Sequence, residues 1–224
     1  MDPHSISPLL KLKQTISQFS PLSEDEWLGF SSKLSVKKFS KGNFLVREGE
    51  VENFIYFLNT GATRNYFLKD GKDFTVDFHF ENDFVTAYYS LITRQPSAIF
   101  IELLEDAETI VIPVKHLNKF YAKYPNGEKI GRLMAEYQYL KRLRKEMDLL
   151  SKTAEERYAE LMQRNPALIM NISVKHLSSY LGIQPESLSR IIEYIISRPW
   201  LHKATIGIVF NVIPVDERFQ RDIA

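Results

Sequence analysis

Apolar residues recur along the chain in changing rhythms, and each rhythm predicts a different kind of element. Up to about Leu34 the spacing is helical, with a first helix expected from Leu9 to Phe19. Leu22-Ser23-Glu24-Asp25-Glu26-Trp27 then reads as the start of a second helix running to about Leu34. Ser23 and Glu26 form its capping box, and Leu22 staples to Trp27. From Val36 the rhythm shortens to strands punctuated by glycine, at Lys41-Gly42-Asn43, Glu48-Gly49-Glu50, Thr60-Gly61-Ala62 and Asp70-Gly71-Lys72. The expected strands are Phe44–Val46, Phe54–Leu58, Thr63–Leu68, Phe74–Phe80, Ile99–Leu104 and Thr109–Pro113, rich in aromatic and β-branched residues. Asp70-Gly71 is a two-residue hairpin turn. After Pro125-Asn126-Gly127, apolar positions return at helical steps in Ile130, Leu133, Tyr137, Leu140, Arg144 and Met147, with one arginine among them. This stripe predicts a dimerisation seam of coiled-coil type; a helix packed on the chain's own barrel would carry the same stripe. Another helix is expected from Lys152-Thr153-Ala154 to about Gln163.

Between Ile172 and Ile191 the pattern becomes two short helices joined at a glycine. Leu177 and Leu181 lie one turn apart on the first, and Leu188 and Ile191 share a face of the second. Ser178 is small where the helices must approach, and Gly182 supplies the left-handed residue that ends the first. Ile183 plugs the corner, Pro185 opens the second helix without a missed hydrogen bond, and Glu186 suits its positive end. The remaining side chains of that second helix are polar. This is the pattern of a helix-turn-helix whose second helix enters a DNA major groove. Gln184, Glu186, Ser187 and Arg190 are the candidates for base contacts, with Arg190 able to clasp guanine O6 and N7. Ser173, Lys175 and Ser189 are candidates for phosphate contacts, which position the protein without reading sequence. The competing reading is an ordinary helical hairpin inside a core.

Composition narrows the classes. The 224 residues suffice for one large domain or two small ones, and the charged fraction of 25% is that of an ordinary globular protein. With no cysteine, the chain has no disulfide, thiol catalysis or cysteine-ligated metal centre. No apolar run reaches membrane-spanning length, and Met1-Asp2-Pro3-His4-Ser5 lacks the blocks of a signal peptide, so a cytoplasmic protein without membrane contact is expected. Net charge is only +1, and from Ser151 onward nine Lys/Arg face eight Asp/Glu. That balance is poor in the basic residues that draw a protein to nucleic acid, so non-specific affinity should be weak.

The order of these parts resembles the Crp/Fnr family of bacterial transcription regulators. The segments that carry the likeness are Phe39-Ser40-Lys41-Gly42-Asn43-Phe44-Leu45-Val46-Arg47-Glu48-Gly49-Glu50, Ile55-Tyr56-Phe57-Leu58-Asn59-Thr60-Gly61, and Glu186-Ser187-Leu188-Ser189-Arg190. The resemblance implies an α+β fold: an N-terminal antiparallel β-roll, jelly-roll-like, with flanking helices, a long dimerisation helix and a C-terminal winged helix-turn-helix. It places the sensor roll at residues 1–114, the connecting helix at 115–150 and the DNA-binding part at 151–224. Trp200–Phe210 would form the wing, with Ile206, Ile208 and Phe210 alternating as a half-buried strand does; Val212–Ala224 would pack as an extension on either domain. The implied partners are double-stranded DNA, a second copy of the chain, RNA polymerase and a small-molecule effector. The hinge would lie near Leu150-Ser151-Lys152.

Two departures bear on function. Cyclic-nucleotide-binding members of the family hold the ribose with a Gly-Glu and the cyclic phosphate with an Arg-Ser/Thr-Ala. The matching stretches here are Phe84-Val85-Thr86 and Pro96-Ser97-Ala98, so the glycine, acid and arginine are all replaced, and Arg94 lies two residues away. Proline cannot clasp an anion, and losing a bidentate arginine costs a charge-assisted hydrogen-bond pair. Phe84, Val85, Thr86, Arg94, Ser97 and Ala98 therefore outline a candidate effector pocket from which cyclic AMP is not expected to be bound. Phe44, Phe57, Phe67, Phe74, Phe78, Tyr88 and Tyr89 are an alternative filling for the barrel. The second departure follows Arg190, where Ile191-Ile192-Glu193-Tyr194 replaces the usual basic residues and Glu193 would repel phosphate. A ligand-binding or protein-interaction module with a degenerate helix-turn-helix is the reading this favours instead. Enzyme chemistry finds no support, and no cofactor or metal is expected: His4, His79, His116, His176 and His202 are scattered, and the glycines stand singly at turns.

Overall fold

The structure, a computed structural model, describes residues 7–164, 166 and 172–197. The chain divides into two compact units between Leu140 and Lys141. The first opens with α1 (Pro8–Ser17) and α2 (Glu24–Ser31). Eight strands follow: β1 (Ser35–Phe39), β2 (Phe44–Val46), β3 (Phe54–Thr60), β4 (Thr63–Lys69), β5 (Lys72–His79), β6 (Phe84–Val85), β7 (Phe100–Leu103) and β8 (Ala107–Pro113). A short α3 (Tyr88–Thr93) lies between β6 and β7, and α4 (Val114–Lys123) follows β8. The strands form two antiparallel sheets, ordered β1-β8-β3-β6 and β2-β7-β4-β5.

Strand alternation explains the two-layered core. Tyr56 and Leu58 on β3 and Val111 on β8 turn inward to meet Leu45, Ile101 and Leu103 of the facing sheet. Their neighbours Phe57, Ile110 and Ile112 turn outward and are covered by Leu12, Ile16, Phe30, Leu117, Phe120 and Ile130 from the helices. Both faces of β3 and β8 are thus buried, which is why these strands read as continuous apolar runs. The roll is lined mainly by aliphatic side chains. Of the aromatics expected as a filling, Phe57 faces the helices, while Phe74, Tyr88 and Tyr89 are exposed at 41%, 56% and 70%.

Local signals place several elements. The α2 capping box forms as expected: Ser23 Oγ accepts from the Glu26 N–H, and the Glu26 carboxylate accepts from the Ser23 N–H at 2.8 Å. The helix stops at Ser31, short of Leu34, whose side chain packs on the core from the segment leading into β1. Asp70 and Gly71 adopt φ of 52° and 72°, so Lys69 pairs with Lys72 across a tight turn.

The expected single helix over 115–150 is two helices. Tyr124 caps α4 in an extended conformation, and Pro125 starts α5 (Pro125–Ser151). The seam expected along α5 divides as well. Ile130 is 4% exposed within the helical core and Tyr137 meets Phe19 edge-on at 5.9 Å, whereas Leu140 and Met147 are 50% and 59% exposed. Leu133 is half-buried and Arg144 exposed.

The second unit carries the end of α5, then α6 (Ala154–Arg164), α7 (Val174–Leu181) and α8 (Pro185–Ile196). The wing expected at 200–210 and the tail lie outside the described residues. No helix among the described residues is long and apolar enough to cross a membrane.

Candidate nucleic-acid interface

Ser173 caps α7, its Oγ accepting the His176 N–H at 3.2 Å. Gly182 ends the helix at φ 69° and ψ 30°, the left-handed conformation that costs glycine least. Its N–H turns back to the Ser178 and Ser179 carbonyls, and the Ile183 N–H reaches the Ser178 carbonyl at 3.0 Å. The chain then extends through Gln184, and Pro185 opens α8 where no intrahelical N–H is needed. Leu177, Leu181 and Leu188 are at most 3% exposed and Ser178 is 2% exposed, so the corner between the two helices is closed. Each buried leucine stabilises this corner by about 1.5–3 kcal/mol.

The outer side of α8 is polar and open. Gln184, Glu186, Ser187 and Arg190 are all exposed, with Glu186 and Arg190 one helical turn apart and Ser187 between them. Among the described residues Arg190 forms no ion pair. Of the expected phosphate contacts, Lys175 is exposed, Ser173 Oγ forms the helix cap and Ser189 Oγ donates to the Pro185 carbonyl at 3.1 Å. Glu193 and Tyr194 are exposed one turn further along. Lys145 lies 3.9 Å above the Tyr180 ring, joining the end of α5 to α7 through a cation–π contact.

The six residues outlined as an effector pocket lie on β6, directly after it, at the end of α3 and in the segment before β7. Val85 faces the interior of the roll, but its strand neighbour Phe84 faces the helices and packs 5.1 Å from Phe57. Thr86 donates to the Phe54 carbonyl, and the Ser97 hydroxyl donates to the Ile99 carbonyl at 2.8 Å. Ala98 is exposed. Arg94, at φ 62°, donates to the Glu52 carbonyl and to Asn53 Oδ1, both at 2.7 Å. Its guanidinium braces the segment before β3.

Two charged groups of the roll escaped sequence reasoning. Glu52 is 3% exposed and accepts the N–H groups of Asn53 and Phe54 at 2.8 and 2.9 Å. Burial pushes its carboxyl above the ordinary range, against the pull of those N–H groups. Arg64 is 2% exposed, donating to Asp73 at 2.7 Å and Thr75 at 2.9 Å while stacking over Tyr66. Glu52 sits in a polar glycine-containing stretch that reads as a solvated turn, and Arg64 in a strand whose register only the folded hairpin reveals.

With this geometry in place, comparison with known proteins gives a consistent result. Residues 36–124 match the cyclic nucleotide-binding domain. The chain is 25% identical over 202 residues to the transcriptional activator protein Anr of Pseudomonas aeruginosa, covering 84% of this chain and 78% of that protein. It is also 25% identical over 169 residues to Anr of Pseudomonas protegens, covering 69% and 68%. The structure of FixK2 from Bradyrhizobium japonicum superposes with a TM-score of 0.61 at 22% identity, over 73% of this chain and 85% of that one. The protein is an α+β transcription regulator with a cyclic nucleotide-binding-like roll. In the order of its parts it is similar to regulators of the Crp/Fnr family.

Proposed function

We propose that the chain is a homodimeric, sequence-specific DNA-binding regulator whose roll takes an effector other than cyclic AMP, or none. The observation that carries this reading is α8: one face closes the helix-turn-helix corner, and the other presents Gln184, Glu186, Ser187 and Arg190 to solvent. A helical hairpin serving only a core has no need of that polar face. The relatives named activators support the same class. Arg190 reads a guanine, Gln184, Glu186 and Ser187 contact neighbouring bases, and Lys175 meets phosphate, with Ser173 and Ser189 near the backbone. Residues 1–114, 115–150 and 151–224 serve as sensor, connector and DNA-binding part, in a cytoplasmic protein that meets RNA polymerase at its promoters. The replacements Val85, Thr86 and Pro96, together with the engagement of Arg94, argue against a cyclic phosphate in the roll.

Selection of fragments from a genomic library at two salt concentrations tests this reading. The wild type should enrich a palindromic motif. Arg190→Ala should bind it about 1–3 kcal/mol more weakly and lose preference at one base pair of each half-site. Unchanged binding by the variant would remove Arg190 from the base contacts. Absence of any enriched motif at low salt would favour the second reading, an interaction module with a degenerate helix-turn-helix, which the exposed Glu193 beside Arg190 supports.

A further inference from the structure

Arg157, on the first turn of α6, donates one Nη to the carbonyl of Lys152 and the other to the carbonyl of Leu181 at 2.7 Å. Lys152 is the first residue after α5, and Leu181 is the last residue of α7. Carbonyls at helix C-termini lack intrahelical partners and carry the negative end of the helix dipole. A single guanidinium therefore caps two helices at once, and its rigid planar fork sets the direction between its two acceptors. A lysine ammonium on a flexible stem imposes no such geometry. The surrounding hinge is held by softer, partly exposed pairs: Lys152 Nζ meets Asp148 at 2.8 Å and Glu160 at 2.6 Å. Pairs of this kind contribute little on their own. Because Leu177, Leu181 and Leu188 close the corner between α7 and α8, whatever orients α7 also orients α8.

We propose that Arg157 is a positioning residue for DNA recognition: by capping α5 and α7 together it fixes how α8 is presented from the end of the long helix. It thereby sets the half-site spacing the dimer accepts. The proposal rests on the DNA-binding reading above. Two recognition helices must sit about one DNA turn apart, roughly 34 Å, so a loosened hinge broadens the accepted spacing without changing the bases read.

The test uses two variants of the full chain. Arg157→Met keeps the stem and removes both caps; Arg157→Lys keeps the charge without the fork, and serves if the first variant does not fold. Binding is measured to operators carrying the selected half-site in pairs, with their separation changed one base pair at a time. The wild type should prefer one spacing by about tenfold, and the variants should bind neighbouring spacings within about threefold, with half-site preference intact. An unchanged spacing profile overturns the proposal. Loss of half-site preference together with spacing does so too, since Arg157 would then only hold α7 and α8 folded.

A second measurement needs no DNA. The chain lacks cysteine, so Glu146→Cys and Val174→Cys place two unique spin labels on exposed positions of α5 and α7. Labelled protein diluted into unlabelled protein should give a narrow distance distribution, at least about twofold wider once Arg157 is replaced. Equal widths overturn the proposal. If the wild type selects no motif at all, the DNA-binding reading fails, while the spin-label distances still judge the tie itself.

Discussion

At the scale of single residues, the roll spends buried charge on holding loops. The Glu52 carboxylate collects two backbone N–H groups, and the Ser90 hydroxyl accepts the Glu52 N–H at 3.0 Å. Together with Arg94 these bonds knot the segment before β3 to the end of α3. Burial raises the Glu52 pKa in the folded chain above its unfolded value of about 4.5. Folding then favours the protonated acid. The stability this linkage provides is complete below the unfolded pKa and is lost as pH rises through the raised folded pKa. Glu52→Gln removes the titration but leaves one carbonyl oxygen to accept hydrogen bonds. The melting temperature of wild type minus that of Glu52→Gln should therefore fall as pH rises from about 4 towards neutrality. A difference that stays flat across that range would mean the carboxyl does not titrate out of step with the unfolded chain.

At the scale of elements, legibility followed locality. The α2 capping box, the Asp70-Gly71 hairpin and the Gly182 corner were readable because a few adjacent residues dictate their geometry. β6 is two residues long and α3 six, too short to show a period, whereas the break between α4 and α5 is marked in the sequence by Pro125-Asn126-Gly127. The polar face of α8 was legible from spacing alone. The cap that Arg157 places on Leu181, 24 residues away, was not, because its acceptors are backbone carbonyls and carry no sequence signal. Gly61 shows how the two kinds of information combine. Its φ of 98° demands glycine, and a Cβ there would lie 2.5 Å from the Ala107 Cβ, where β8 begins. Gly49 has a similar φ of 87° with open space around it. Gly49→Ala should cost about 1–2 kcal/mol in conformational strain. Gly61→Ala should cost that plus about 1–3 kcal/mol for the overlap, a difference that denaturant unfolding would resolve. Equal losses would mean that β8 shifts freely and that the close approach of Gly61 to Ala107 is not structurally constrained.

At the scale of the whole molecule, α5 serves two environments in turn. Its first half belongs to the helical core beside the roll, through Ile130, Met134 and Tyr137, so part of the apolar stripe is consumed inside one chain. Its second half leaves Leu140, Leu143, Met147 and Leu150 between 40% and 85% exposed on a single chain. Those positions recur at three- and four-residue steps, so they form one continuous apolar edge, which a second copy of α5 would cover. A dimer built there would also bring together two copies of α8, as the proposed DNA binding requires of a nearly neutral C-terminal part, since few phosphate contacts per subunit would leave a monomer with weak affinity. Leu140→Glu combined with Met147→Glu removes two apolar side chains from each copy and sets four like charges along the seam. At about 1.5–3 kcal/mol per buried side chain, the dimer dissociation constant should rise by at least about 100-fold. Sedimentation at micromolar concentration would then show monomers, and affinity for the full palindrome should fall towards that for one half-site. The thermal stability of the roll should persist, because neither residue belongs to its core. A variant that remained dimeric would move the interface off this edge, the exposed Tyr88, Tyr89 and Ile92 of α3 being the next apolar surface.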